Sequence, residues 1–61
     1  MKLIEFLADA SSRLEKKGIT SSRLDAEVIT ARTLGIERYR LITDSNRELS
    51  GKEITDLEKL I

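Results

Sequence analysis

The sequence lacks the residues from which many stabilising and catalytic sites are built. Its 61 residues include no cysteine and no histidine. The absence of cysteine excludes disulfides and thiolate metal sites. The absence of histidine removes the commonest zinc ligand and the commonest general base. A domain of this size buries only roughly 60% of its unfolded surface, so apolar packing, or contact with a neighbour, must hold the fold together.

Net charge and long apolar runs are absent as well. Eleven basic and eleven acidic residues cancel, so the chain has no overall field that attracts nucleic acid or anionic lipid. No apolar run approaches the ~20 residues of a membrane span. Glu5 and Asp9 interrupt the apolar start, and no small-residue cleavage site follows, which argues against a signal peptide. Together with the lack of cysteine, this predicts a cytoplasmic protein.

The segment from Gly18 to Gly35 contains the sequence signals for the start, the body and the end of a helix. Its sequence is GITSSRLDAEVITARTLG. Both glycines suit the left-handed conformation that ends a helix. Asp25 places negative charge near the positive end of the helix. Hydroxyl side chains that could cap this helix are those of Thr20, Ser21 and Ser22. Helical spacing puts four apolar residues on one stripe, namely Leu24, Val28, Ala31 and Leu34. We predict a buried central helix over about Ser22 to Leu34.

Two further helices are predicted on either side of this one. The first covers about Lys2 to Lys17, and its apolar stripe consists of Leu3, Phe6, Leu7, Ala10 and Leu14. A short helix is predicted over about Glu37 to Thr43, with Leu41 and Ile42 facing inward. A strand is the alternative there, because several of these residues favour strands, but a lone strand would have no pairing partner.

The clearest local signal lies near the end of the chain. Ser50 and Glu53 form an S-x-x-E capping box, and Leu49 and Ile54 are placed as its hydrophobic staple. A fourth helix is predicted to follow, and its apolar residues are Ile54, Leu57, Leu60 and Ile61. The predicted fold is an all-α bundle of about four short helices. Since the apolar pattern continues to the last residue, we expect the chain to be one domain of a longer protein.

The residues argue against a freestanding enzyme. Hydroxyl groups are plentiful, but no histidine is available to activate one. The acidic residues do not cluster as a metal site requires. Gly18, Gly35 and Gly51 are spaced as helix ends rather than as a phosphate-binding or dinucleotide-binding loop. We therefore predict no catalytic, cofactor-binding or metal-binding residue in this chain.

Two binding functions remain open on the residues alone. One is a helix-turn-helix DNA-binding module, in which the predicted helix from Glu37 to Thr43 would offer Arg38 and Arg40 to a groove. Acidic Glu37 and Asp44 flank that helix, and the domain has no net positive charge, which disfavours DNA. The other is a generic helical module that binds another protein.

The residues assembled so far resemble the N-terminal domain of the HemK-type methyltransferases. The resemblance extends over nearly the whole chain in the same order: Ala10-Ser11 and Leu14, Lys17-Gly18-Ile19, Ser21-x-Arg23-Leu24-Asp25-Ala26-Glu27, Ala31-x-x-Leu34-Gly35, Arg38-x-x-Leu41, and Leu49-Ser50-x-x-Glu53. The stretch G-I-x-S-x-R-L-D-A-E, residues 18–27, is the most specific part. Ser22 stands where the family commonly has proline at the first helical position, which costs some rigidity without challenging the fold.

The resemblance implies a role in a longer enzyme. HemK-type enzymes methylate the glutamine of the Gly-Gly-Gln motif in peptide-chain release factors, and so act in translation termination. Their S-adenosylmethionine site and Asn-Pro-Pro-Tyr motif lie in a downstream Rossmann-like domain, which residues 1–61 do not contain. The resemblance therefore implies that this domain recognises the release factor, packs near its own catalytic domain, and does no chemistry itself.

Four residues are candidates for contact with the partner: Arg23, Arg38, Tyr39 and Arg40. Arginine and tyrosine are enriched at the energetic centres of protein interfaces. Arg23 could alternatively pair with Glu27, one helical turn away. Asp25 fits a helix-start carboxylate better than a partner contact. We expect a monomer that binds a release factor rather than a membrane or nucleic acid.

Overall fold

Helices account for all the regular structure of the chain. The computed structural model describes residues 1–61. It contains four helices: α1 (Leu3–Lys16), α2 (Ser22–Leu34), α3 (Arg40–Thr43) and α4 (Gly51–Glu58). The predicted all-α class is confirmed, and the strand alternative near Tyr39 is wrong. None of the helices has the length and hydropathy that crossing a membrane requires.

The amphipathic helix α1 provides half of the core. Its buried residues are those of the predicted stripe: Leu3, Phe6, Leu7, Ala10 and Leu14. The Glu5 carboxylate accepts a hydrogen bond of 2.7 Å from the backbone N–H of Lys2, which satisfies a donor at the start of the helix. The prediction for this helix is confirmed to within a residue at each end.

The helix α2 contacts all three other helices, as predicted for a central element. Its buried face agrees with the predicted stripe only in part, because Ala31 is buried as predicted but two larger members of the stripe are not. Leu24 and Val28 are 46% and 42% exposed, whereas Ala26 and Thr30 are fully buried. The small Ala26 side chain leaves room for a neighbouring helix, and the Thr30 hydroxyl is satisfied inside the core because it donates to the Ala26 carbonyl at 2.6 Å. The predicted burial of Leu24 and Val28 is wrong.

Glycine ends the first two helical segments as predicted. Gly18 and Gly35 both have positive φ, at 86° and 69°, and Gly35 is the left-handed cap of α2. The predicted hydroxyl cap at the start of α2 does not form. Ser21 occupies the cap position, but its hydroxyl lies 3.3 Å from a carboxylate oxygen of Asp25 and donates to it instead of accepting from the backbone.

The third helix is a single turn. It begins at Arg40 rather than at Glu37, because Arg38 and Tyr39 form a turn before it. Leu41 is buried, but Ile42 is 79% exposed. A one-turn helix presents only one side to the core, so the prediction that both residues face inward is wrong for Ile42.

The capping box that begins α4 is confirmed. The backbone N–H of Glu53 donates to the Ser50 hydroxyl at 3.1 Å, and the backbone N–H of Ser50 donates to the Glu53 carboxylate at 2.9 Å. Leu57 is fully buried against the core. The helix ends at Glu58, so Leu60 lies beyond it and is 58% exposed.

Backbone hydrogen bonds join the two ends of the chain. The N–H of Leu3 donates to the Arg47 carbonyl at 2.8 Å, and the N–H of Leu49 donates to the Met1 carbonyl at 2.9 Å. The amino terminus of Met1 also pairs with Glu48 at 3.0 Å. These contacts hold the segment before α4 against the start of α1.

Arg13, in the last turn of α1, pairs with Glu58 of α4 and so holds the two helices together. Its guanidinium donates to both carboxylate oxygens of Glu58 at 2.7 Å and also lies 2.7 Å from Asp9. These hydrogen bonds lower the pKa of Glu58. The pKa of Glu53 is also lowered, chiefly by the hydrogen bond from the Ser50 backbone N–H.

The two lowered pKa values predict acid sensitivity of the fold. Both carboxyl groups bind protons more weakly in the folded chain, so their stabilisation is fully present above the ordinary carboxyl pKa of 4.5 and is lost as the pH falls through the folded values. We expect the Tm to fall in this acid range. Glu53→Gln keeps a capping-box acceptor. This substitution and Glu58→Gln should each make the Tm fall less steeply as the pH decreases.

Thermal unfolding followed by circular dichroism across this pH range measures the effect. Glu15→Gln is the matched control, since Glu15 is exposed on α1 and makes no ion pair. The Tm of the double variant Glu53→Gln with Glu58→Gln is compared with that of the natural chain. If both fall equally steeply as the pH decreases, the acid sensitivity comes from other carboxyl groups.

Candidate protein-binding site

A carboxylate held between two arginines marks the surface where α2 meets the turn before α3. Glu27 projects from α2, and one of its oxygens lies 3.0 Å from Nε of Arg23, one helical turn earlier. Its other oxygen lies 3.3 Å from Nε of Arg38. The predicted pair of Arg23 and Glu27 is confirmed. Since one carboxylate is shared by two guanidinium groups, the cluster carries a surplus positive charge.

Beside this cluster lie the two most exposed large apolar or aromatic side chains of the chain. Tyr39 is 62% exposed, and Ile42 is more exposed still. Together with the arginine cluster they border a cavity of about 320 Å³. The residues that line it are Leu7, Arg23, Glu27, Arg38, Tyr39, Leu41 and Ile42. The surface thus combines arginine side chains with exposed apolar and aromatic side chains, a composition found at protein interfaces.

Arg40 stands apart from the other candidate residues. Its Nε lies 3.1 Å from a carboxylate oxygen of Asp44, and this hydrogen bond is the main reason why the pKa of Arg40 is raised. Arg40 borders a different depression, which it shares with Tyr39 and Glu37. The structure therefore brings Arg23, Arg38 and Tyr39 together around one cavity and places Arg40 at a separate depression.

Two residues of this site are missing from the sequence-based prediction. Ile42 is absent because an aliphatic residue next to a buried leucine is normally assigned to the core. Glu27 appears there only as a local partner of Arg23. Its second partner, Arg38, lies on another element, and no signal along the sequence indicates that contact.

The structure does not contain the recognition helix that the helix-turn-helix alternative requires. The third helix has four residues, which corresponds to about 6 Å of helix. Arg38 precedes it in a turn and is engaged by Glu27, while Arg40 is engaged by Asp44. A recognition helix needs several side chains on one helical face to reach base edges, and this segment does not supply them.

The comparison with protein families shows which family the chain belongs to. The family model described as the PrmC N-terminal domain matches residues 5–61. The chain belongs to this family. The match confirms the resemblance to the HemK/PrmC methyltransferases over almost the whole chain. No curated protein and no solved structure matches the chain.

As a PrmC N-terminal domain, the chain belongs to the non-catalytic part of a methyltransferase. No group of three or more potential ligands is placed to hold a metal ion. The residues around the arginine cavity do not fit S-adenosylmethionine. No glycine loop borders the cavity, and Glu27, its one acidic residue, is already engaged by two arginines.

Proposed function

We propose that this domain recognises the substrate of a methyltransferase that modifies the glutamine of the Gly-Gly-Gln motif in peptide-chain release factors. The family match over residues 5–61 carries the proposal. Methyl transfer and the S-adenosylmethionine site belong to a separate Rossmann-like domain of the same enzyme. The present domain binds the release factor and positions it for that catalytic domain.

The site around Arg38 supports a recognition role. Arg23 and Arg38 share one carboxylate, so either guanidinium can turn to an acidic group of the partner without leaving Glu27 unpaired. Planar guanidinium groups bind carboxylates bidentately. The exposed Tyr39 and Ile42 supply the apolar contact area that makes such a contact strong. We assign the release factor to this surface.

The test removes the two arginines on either side of Tyr39 from the complete methyltransferase. Arg38→Ala with Arg40→Ala should lower kcat/KM for methylation of a release factor by about tenfold or more, mainly through KM, because the residues bind substrate and do not touch the reacting atoms. The single variants then show which side of Tyr39 contacts the partner. Circular dichroism should show an unchanged fold, since both side chains are exposed.

Lys16→Ala with Lys52→Ala is the charge-matched control. Both lysines are exposed, form no ion pair and lie outside the site. An equal loss of kcat/KM in the control would indicate a general charge effect, and an unchanged kcat/KM in the arginine variant would remove this surface from the proposal. Calorimetric binding of S-adenosylmethionine by residues 1–61 would contradict the division of labour. A DNA mobility shift that disappears in the arginine variant would favour the helix-turn-helix alternative.

A further inference from the structure

The two arginines that share Glu27 keep most of their hydrogen-bonding capacity free. Arg23 donates one hydrogen bond to the Glu27 carboxylate, from Nε at 3.0 Å. Arg38 approaches the other carboxylate oxygen with its own Nε, at 3.3 Å. No hydrogen bond within the chain uses a terminal guanidinium nitrogen of either residue. Since a guanidinium presents its N–H donors in a planar fork, each arginine retains a pair of donors that can bind an anion bidentately.

The exposure of the three side chains determines which charge a partner meets. The side chains of Arg23 and Arg38 are 54% and 58% exposed, whereas that of Glu27 is 22% exposed. The guanidinium groups are therefore more accessible than the carboxylate between them. One negative charge offsets two positive charges, so the cluster attracts an acidic group of a partner and repels a basic one.

Apolar side chains border the same cavity. Leu7 and Leu41 reach it from the core, and the exposed Tyr39 and Ile42 lie beside it. Its volume of about 320 Å³ is at the lower end of the range of roughly 300–1,000 Å³ that is usual for small-molecule pockets. A cavity of this size has room for a side chain but not for a helix. An apolar side chain that enters it also removes part of Ile42 from water.

We propose that this cavity binds an acidic side chain of the release factor together with an apolar side chain that lies close to it in the release-factor structure. The acidic group accepts hydrogen bonds from the terminal nitrogens of Arg23 and Arg38, and the apolar group packs against Ile42. Glu27 stays paired with both arginines and positions them. This inference rests on the proposed function and adds to it the chemistry of the partner segment.

The direction of the effect of Glu27→Gln tests the charge of the partner. Glutamine keeps an oxygen that accepts from Nε of Arg23 but removes the negative charge, so the surplus positive charge of the cluster rises from one to two. In the complete methyltransferase we expect KM for the release factor to fall about threefold with an unchanged kcat. Glu15→Gln makes the same charge change outside the cavity and should leave KM unaltered.

Loss of the arginines or of Ile42 should act in the opposite direction. Arg23→Gln with Arg38→Gln removes both cations, and we expect KM to rise about tenfold or more. Ile42→Ala removes apolar contact area and should raise KM about threefold. Ile4→Ala, on the exposed side of α1 and outside the cavity, is the control for Ile42 and should leave KM unaltered. Circular dichroism checks that each variant is folded.

A reciprocal charge exchange identifies the partner residue. Exposed acidic residues of the release factor are changed to arginine one at a time, and one of these variants should raise KM of the natural enzyme about tenfold or more. Arg38→Glu in the enzyme should recover part of that loss, because an attractive pair then replaces a repulsive one.

The outcomes separate this inference from the proposed function. A KM that rises or stays the same in Glu27→Gln overturns the inference alone, since the release factor would then bind this surface without an acidic group. So does a release factor in which no charge reversal is compensated by Arg38→Glu. A lower kcat with an unchanged KM in the arginine variant would place the surface against the catalytic domain of the same enzyme. That result, or an unchanged kcat/KM, contradicts both the inference and the assignment of the release factor to this surface.

Discussion

Phe6→Ala unfolds the domain. The Phe6 side chain is fully buried on the inner face of α1, and removing a buried phenylalanine ring typically costs about 3–5 kcal/mol because a cavity remains. A single core in a chain of this length rarely supplies more than about 3–5 kcal/mol. The loss is therefore as large as the whole stability. We expect the helical circular dichroism signal of the variant to be largely lost at room temperature.

Ile4→Ala is the matched control for this substitution. Ile4 lies on the same helix, two residues before Phe6, but on the exposed side. Its side chain is 48% exposed, so truncation removes much less buried surface than at Phe6 and slightly improves helix propensity. The change in unfolding free energy should stay within about 1 kcal/mol. A folded Phe6→Ala variant with a near-natural urea midpoint would show that the ring is not the centre of the core.

Leu57→Ala should have the second largest effect. Leu57 is the one fully buried residue of α4, so the docking of this helix depends on it. Truncation of a buried leucine costs about 2–5 kcal/mol, which lowers the Tm of a domain of this size by at least roughly 10 °C. Thermal unfolding followed by circular dichroism, together with the urea midpoint, measures the loss.

Leu60→Ala provides the comparison for the same chemical change at an exposed position. Leu60 lies three residues further along the chain and beyond the end of α4. We expect a change within about 0.5 kcal/mol. Equal losses in the two variants would mean that the residues after α4 hold the helix in place as strongly as Leu57 does.

Local patterns are sufficient to predict much of this fold. The bounds of α1 follow from its apolar periodicity, and the start of α4 follows from the Ser50 and Glu53 capping box, because these signals act within one or two helical turns. The left-handed glycines at positions 18 and 35 are likewise local features. The same reasoning found Arg23 with Glu27, which are one turn apart.

Features that depend on the packing of one helix against another are not predictable in this way. Hydropathy alone assigns Leu24 and Val28 to the core, but the side of α2 that packs inward is the one with Ala26 and Thr30. Their small volumes and the satisfied hydroxyl of Thr30 matter only once the neighbouring helix is in place. The contact of Arg38 with Glu27 has the same origin, because it joins two elements.

The hydrogen bonds between the ends of the chain determine how the domain can come apart. The N–H groups of Leu3 and Ile4 have no acceptors within α1, and their partners are the carbonyls of Arg47 and Ser45. Separation of the segment before α4 therefore uncaps α1, the helix that carries half of the core. We therefore expect the first and last elements to lose their structure together.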